Sequence, residues 1–445
     1  MDRREDAIAA LATAPGEGGV AIVRISGDRA REILSRAFLP AQKRKITPRR
    51  LTYGSLVSET GEVLDEVMAV FLPAPHTYTR QDVAEIHCHG GRAAVESTLS
   101  RVCELGARPA EPGEFTLRAF LGGRIDLSQA EGVMSIISAG GRAAQRAGMR
   151  QLTGGVSRQI ARIRDRLTAL LAQIEAADDF PEEIDEAATA QEVREGCEEI
   201  RLDLARCADE RNARMVREGV SVVLCGKPNV GKSSLMNALL GSERAIVTHV
   251  PGTTRDVLTE RMSIAGRTVE LSDTAGQRET DDPVEAIGVQ RAKKSQREAD
   301  ISLIVLDGSV PLTAEDEALL AQADERSLIV VNKADLPRAF DPPEGAISLS
   351  AATGEGVETL REALSARISG SAPEDDCLTV QRHIDRARGA QAALARAVQA
   401  VDTGVPLDVA AVELWEARRE LGEITGDDAS EAVVSEIFAS FCVGK

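Results

Sequence analysis

The chain has 445 residues and a formal net charge of −18, from 53 lysines and arginines against 71 aspartates and glutamates. That balance excludes broad, non-specific attraction to nucleic acid, so an RNA partner must meet a local basic patch. The length implies two to four domains, and with aromatics at only 2% of residues, aliphatic side chains must fill the cores.

No uncharged apolar run reaches the roughly 18 residues of a membrane span, and Met1-Asp2-Arg3-Arg4-Glu5 lacks a signal peptide's apolar segment. The seven cysteines, at 88, 103, 197, 207, 225, 377 and 442, form no Cys-x-x-Cys pair and fit reduced thiols. The expectation is a soluble cytoplasmic protein with no membrane attachment. Gly444 and Lys445 are the wrong residue types for a prenylation tail on Cys442.

Residues 1–118 alternate strand-like runs with turns. Val20–Ile25 precedes a helical stretch to about Phe38, Val67–Leu72 stops at Pro73, and Val83–His89 stops at Gly90-Gly91. This predicts an α+β domain. Arg24 and Glu85 put charges inside apolar strands, which is costly unless they face solvent or pair. His87 and His89 share a strand face and could begin a metal site, but no third ligand is visible. Lys43-Arg44-Lys45 with Arg49-Arg50, and the arginines at 142, 146, 150, 158 and 162, are either basic patches or solvated helix faces.

From 119 the pattern turns helical. Ser128-x-x-Glu131 has the form of a capping box. Ile160, Ile163, Leu167, Leu170, Leu171 and Ile174 recur at helical steps and predict a packed stripe. Asp178–Asp185 breaks that run, and a further helix is expected to about Asn212. Helical patterns return at 384–401 and 405–421 before Phe438-Ala-Ser-Phe-Cys-Val-Gly-Lys445. The expected organisation is 1–118, a helical domain over 119–212 and 371–445, and an inserted α/β unit at 213–370. Closely spaced termini make such insertions tolerable.

The inserted unit carries the chemistry. Val222–Cys225 reads as a buried strand, and Gly226-Lys-Pro-Asn-Val-Gly-Lys232-Ser233 as a phosphate-binding P-loop opening a helix. Its glycines let backbone N–H groups face phosphate, Lys232 reaches the β- and γ-phosphates, and the Ser233 hydroxyl suits Mg²⁺. Asn229, Val230, Gly231 and Ser234 complete that cradle. Val269–Asp273 is a second strand ending in Asp273-Thr274-Ala275-Gly276, whose aspartate suits Mg²⁺ and whose glycine N–H suits the γ-phosphate. Ile301–Asp307 and Leu328–Asn332 are two more strands. In Asn332-Lys333-Ala334-Asp335, the aspartate can accept both N–H groups of guanine, whereas adenine would leave it unpaired. Ser350-Ala351-Ala352 closes the base pocket after another strand. Four such motifs in this order predict GTP rather than ATP. Thr248-His249-Val250-Pro251-Gly252-Thr253-Thr254 lies between P-loop and Asp273, with Thr254 placed as the switch threonine over Mg²⁺.

Together these motifs resemble the TrmE–Era–Obg-like GTPases, giving a Ras-like P-loop fold for the insert. The ends narrow this. ATAPGEGGVAIVRISG at 12–27, AEPGEFTLRAF at 110–120, RIDLSQAE at 124–131 and the terminal FCVGK resemble the MnmE (TrmE) family of tRNA modification GTPases. The resemblance implies an N-terminal domain that dimerises and binds 5-formyltetrahydrofolate or methylenetetrahydrofolate. Its folate residues fall on Arg24, Glu85, Arg124 and Lys445, with Arg124 where lysine is commoner. It further implies an FAD-containing partner, MnmG, in a heterotetramer acting on the wobble uridine of certain tRNAs. There a folate one-carbon unit and an amine build a carboxymethylaminomethyl or aminomethyl group.

The resemblance also implies hydrolysis that needs K⁺ and a second copy of the chain. Potassium ligands fall on Asn229, Thr248, the Val250 backbone and Thr253, and Mg²⁺ ligands on Ser233 and Thr254. Without the resemblance, Asn229 reads rather as a turn-former after Pro228. The water-orienting glutamate falls on Glu285, while Gln277 stands where Ras-like enzymes carry their glutamine, so Glu285 is expected to dominate and Gln277 to assist. Cys442 is a candidate thiolate nucleophile. The alternative is a GTP-dependent RNA-binding or ribosome-assembly factor without modification chemistry of its own.

Overall fold

The computed structural model describes residues 6–42, 46–241, 259–273, 299–369 and 377–444. The chain forms two compact units, Met1–Met134 with Met149–Leu202 and Asp385–Lys445, and Ser135–Gly148 with Asp203–Ile384. Among the described residues no helix is long and apolar enough to cross a membrane.

The first unit opens with seven strands, β1 Ala7–Leu11, β2 Gly18–Ser26, β3 Phe38–Pro40, β4 Thr52–Val57, β5 Val63–Leu72, β6 Val83–Gly90 and β7 Ala107–Pro109. They hydrogen-bond in the order β3-β4-β5-β6-β2-β1-β7, all antiparallel except β1 with β7. The sequence pattern picked out the three long central strands; the short edge strands lack enough alternation to stand out. Successive side chains alternate between faces. Val23, Ile25, Ala84, Ile86 and Cys88 therefore join the core with Ile33 and Leu34 of the helix Ala30–Ala37. The alternate set carries Arg24 and Glu85, which lie directly opposite each other in the β2–β6 register.

Next to this sheet, Arg108, Glu114 and Arg118 form an ion-pair cluster with Asp6. Burial pushes the Glu114 carboxyl up, but hydrogen bonds from Arg108, the Glu111 amide and Arg118 outweigh it and leave its pKa below the usual value.

The helical part holds Gly155–Asp179, with Ile160, Ile163, Leu167, Leu171 and Ile174 buried as the stripe predicts. Leu170 instead lies half-exposed over Gly196 of the helix Glu186–Cys207, where a Cβ would come within 2.8 Å of its methyl. The helix expected to reach Asn212 ends at Cys207. Asp209 caps a separate helix, Glu210–Arg217, its Oδ1 accepting from the amides of Arg211 at 3.0 Å and Asn212 at 3.2 Å.

The capping box also moves. Leu127–Ile137 begins before Ser128, whose hydroxyl is buried with no hydrogen-bond partner. The reciprocal pair is Asp126 with Gln129: Gln129 N donates to Asp126 Oδ1 at 2.8 Å and Asp126 N to Gln129 Oε1 at 3.0 Å. The same spacing fits both pairs, and Asp and Gln supply the same acceptor atoms as Ser and Glu.

In the second unit β8 Val220–Cys225, β9 Thr259–Ile264, β10 Arg267–Asp273, β11 Ile301–Asp307, β12 Ser327–Asn332 and β13 Ile347–Ser348 form a sheet in the order β13-β12-β11-β8-β10-β9. Every pairing is parallel except β9 with β10. β9 carries no strong apolar signal and was not foreseen. The helices Lys232–Leu240 and Val357–Ser369 bury Leu235, Leu239, Leu360 and Leu364 in the core that β8, β10 and β11 share. Parallel strands buried on both faces explain the unbroken Val/Ile/Leu runs.

Asp126→Ala is expected to lower stability by about 1 kcal/mol through loss of the cap, whereas Ser128→Ala should leave it unchanged. Thermal unfolding of the two variants side by side checks this.

Candidate functional site

Strands β8, β10, β11 and β12 run parallel, so their C-terminal ends open on one edge of the sheet, where α/β folds hold ligands. Each carries a polar group there. After Cys225 the loop turns into the helix Lys232–Leu240 through Gly231, at φ 97°. A Cβ on Gly231 would sit 2.2 Å from Asn332 Nδ2, so both the backbone angle and the space demand glycine. Asn229 likewise takes φ 65°, a conformation asparagine tolerates.

Lys232 is 4% exposed, and its ammonium donates to the carbonyls of Gly226 and Lys227, each at 2.7 Å. Burial pushes its pKa down, against the opposing pull of Asp273. A phosphate would supply the countercharge that two carbonyls only approximate. Ser233 Oγ donates to Asp273 Oδ2 at 3.1 Å. A hydroxyl and a carboxylate at that separation are the hard oxygen donors Mg²⁺ takes, so Ser233 and Asp273 fit the ion that accompanies a nucleoside triphosphate. Val230 is buried and Ser234 exposed at the start of that helix.

The base motif occupies the end of β12. Asn332 Nδ2 donates to Val230 O at 2.8 Å, and its Oδ1 accepts from Ala351 N at 2.9 Å. Lys333, at φ 65°, pairs with Asp307 at 2.6 Å. Burial raises the Asp307 carboxyl, but Lys333 and Ser309 outweigh it and bring the pKa below the ordinary value. Asp335 is exposed, with Oδ1 accepting from Ser350 Oγ at 2.5 Å. Ala334 N donates to Leu349 O, and Ala352 is exposed beside Ala351. Asn332, Asp335, Ser350 and Ala351 thus gather at one pocket edge with the P-loop. Two contributors were missed: Asp307, a strand-ending carboxylate, and Lys227, whose ammonium meets Asp316 at 2.5 Å and Thr313 Oγ1 at 2.8 Å. Thr248, His249, Val250, Pro251, Gly252, Thr253, Thr254, Thr274, Ala275, Gly276, Gln277, Glu285 and Lys445 lie outside the described residues.

A second cluster forms in the first unit. Arg24 Nε donates to Glu85 Oε1 at 2.9 Å, and His87 Nε2 stands 3.4 Å from Glu85 Oε2. The charges in the strands therefore pair with each other. Arg124 Nη1 donates to Tyr78 O at 3.2 Å, and the Arg124 guanidinium lies 4.7 Å from the Tyr78 ring centre. Arg24, with Glu85 paired to it, and Arg124 thus meet at Tyr78, which the sequence did not single out although it is one of only two tyrosines. His89 pairs with Asp65 at 2.6 Å rather than sharing a partner with His87. The terminal motif is seated nearby in the chain's own core: Phe438 and Phe441 have ring centres 5.2 Å apart, and Gly113 N donates to Cys442 O at 3.4 Å. Cys442 is exposed; Gly444, at φ 93°, is so close to Leu11 that a Cβ would fall 2.0 Å from its carbonyl oxygen.

Comparison with known proteins shows the family. The profile of the MnmE helical domain matches residues 127–442, and that of the GTP-binding protein TrmE N-terminus matches residues 7–124. The chain belongs to the MnmE family of tRNA modification GTPases. Among its relatives, the tRNA modification GTPase MnmE of Natranaerobius thermophilus is 42% identical over 456 residues, spanning 99% of this chain and 100% of that protein. Those of Heliobacterium modesticaldum and Symbiobacterium thermophilum are each 43% identical, over 99% of this chain and 99% and 100% of theirs. As an MnmE-family member the chain is a GTP hydrolase of tRNA modification.

Gly231→Ala is expected to weaken binding of a fluorescent GTP analogue about tenfold or more, from strain at a left-handed position. Gly241→Ala, where the nearest neighbour of a Cβ is 3.4 Å away, should bind normally in the same titration.

Proposed function

We propose that the protein is a K⁺-dependent GTPase that works with an FAD-containing MnmG-type partner to modify the wobble uridine of certain tRNAs in the cytoplasm. The added group is of the aminomethyl or carboxymethylaminomethyl type, and its one-carbon unit comes from a tetrahydrofolate. The domains are 1–118 for folate binding and dimerisation, 213–370 for GTP, and 119–212 with 371–445 as the helical part.

The observation that carries this reading is that Arg24 and Arg124 share the Tyr78 ring while Arg24 also pairs with Glu85. A carboxylate can accept the N–H groups of a pterin, and guanidinium groups suit the carboxylates of the folate tail. Lys445 adds a further cation. The histidine at 87 holds the second carboxylate oxygen of Glu85, so the acid is oriented before any ligand arrives.

In the nucleotide pocket Asp335 selects guanine, Lys232 neutralises the β- and γ-phosphates, and Ser233 with Thr254 holds Mg²⁺. Asn229, Thr248, the Val250 backbone and Thr253 hold K⁺, whose charge supports the leaving phosphate as an arginine finger does. Glu285 orients the attacking water and Gln277 assists. Cys442 remains the candidate nucleophile toward the uridine ring.

GTP turnover should rise in potassium over sodium and rise further with enzyme concentration, as a homodimer requires. In single-turnover assays Glu285→Ala should lose about a hundredfold or more, the scale of a general base, and Gln277→Leu far less; the reverse order would move the role to Gln277. Nucleoside analysis of tRNA from cells lacking the protein should show the wobble uridine unmodified, with Arg24→Ala failing to restore it.

A further inference from the structure

Two guanidinium groups lie against the Tyr78 ring. The Arg24 guanidinium lies 5.7 Å from its centre and that of Arg124 4.7 Å, and the Tyr78 hydroxyl meets Thr116 Oγ1 at 2.9 Å. Thr116 is buried in the helix Glu114–Leu121, so the ring is held at its far end by a rigid element. Phe115, from the same helix, is fully buried and lies 5.9 Å from Arg24. Two arginines, one also paired with Glu85 and the other also bonded to the Tyr78 carbonyl, therefore share one ring as a cation–π partner.

We propose that Tyr78 is a positioning residue of the folate site, setting the spacing of Arg24 and Arg124 so that a ligand combining a flat heteroaromatic amide with a carboxylate fits between them. The inference rests on the folate reading above. It extends that reading to a residue whose own side chain carries no charge and to the hydroxyl contact that fixes it. Removing the ring leaves Arg24 on Glu85 and Arg124 on the backbone carbonyl of residue 78, but takes away the surface that fixes their spacing, and the ligand must then supply that order.

The test is calorimetric titration of the full-length protein with 5-formyltetrahydrofolate. Tyr78→Leu should weaken binding about tenfold or more, as loss of an aromatic partner for two cations predicts. Tyr78→Phe, which keeps the ring, should stay within about threefold of the parent protein, on the scale of one neutral hydrogen bond. A thermal melt of each variant is run beside the titration: Tyr78→Leu, which loses packing and the Thr116 hydrogen bond, should melt somewhat lower yet remain folded at the titration temperature, so that its weaker binding reads positioning and not unfolding. If Tyr78→Leu does not fold, Tyr78→His keeps a smaller flat ring and should bind between the other two. Parent protein that binds while Tyr78→Leu binds equally well overturns this inference and leaves the folate reading standing. Equal losses in the Leu and Phe variants overturn the role of the ring. Parent protein that fails to bind 5-formyltetrahydrofolate overturns both.

Discussion

The Asn332 side chain is 2% exposed, and both ends of its amide are committed, one to the Val230 carbonyl and the other to the Ala351 amide. Through that group the phosphate loop, the base motif and the loop that closes the pocket become one body. Leaving either end of a buried amide unpaired costs about 1–3 kcal/mol, so the three segments hold their spacing together or not at all. Gly231 is the complementary constraint: any side chain there would occupy the space of the amide nitrogen. A nucleotide must contact phosphate loop and base motif at once, and a single shared amide keeps the distance between those contacts fixed before it arrives.

The same economy governs charge. In a chain with net charge −18, a tetra-anionic ligand approaches against repulsion, and the attraction has to be local. The local positive groups at the P-loop are the N-terminus of the helix Lys232–Leu240 and the Lys232 ammonium. Neighbouring cations are neutralised by dedicated carboxylates, Lys227 by Asp316 and Lys333 by Asp307. Lys232 differs: its nearest hydrogen-bond partners are carbonyls, and burial lowers its pKa. A buried ammonium held by two carbonyls is a group that an anion would stabilise.

How legible this was depended on the kind of signal. The parallel sheet was readable because strands buried on both faces are continuous apolar runs, and the P-loop because its glycines answer to backbone geometry. β9 and the short edge strands were not, since three to six residues with mixed polarity carry little periodicity. The cap slipped by two residues because Asp126 and Gln129 satisfy the same hydrogen-bond pattern as Ser128 and Glu131. Arg24 and Glu85 were legible as anomalies, charges where apolar residues belong, but their pairing needed the β2–β6 register, which no local pattern contains. Tyr78 lies in a loop between strands and announced itself only by scarcity.

That scarcity has a consequence. A chain with so few aromatic residues fills most of its cores with Val, Ile, Leu and Ala, which makes a place where several rings meet stand out. Phe120, Phe438 and Phe441 pack together, with Ile125 and Leu127, to anchor the end of the chain. Tyr78 joins the edge of the same cluster and presents its ring to Arg24 and Arg124. Aliphatic packing would hold the terminal helix Glu431–Ala439 about as well by area alone. It would not orient a guanidinium, because only a ring offers a cation a face with directional attraction. The aromatic cluster thus does two jobs with one set of residues: it fixes where the terminal FCVGK segment leaves the core, and it sets the geometry of the charged groups beside it.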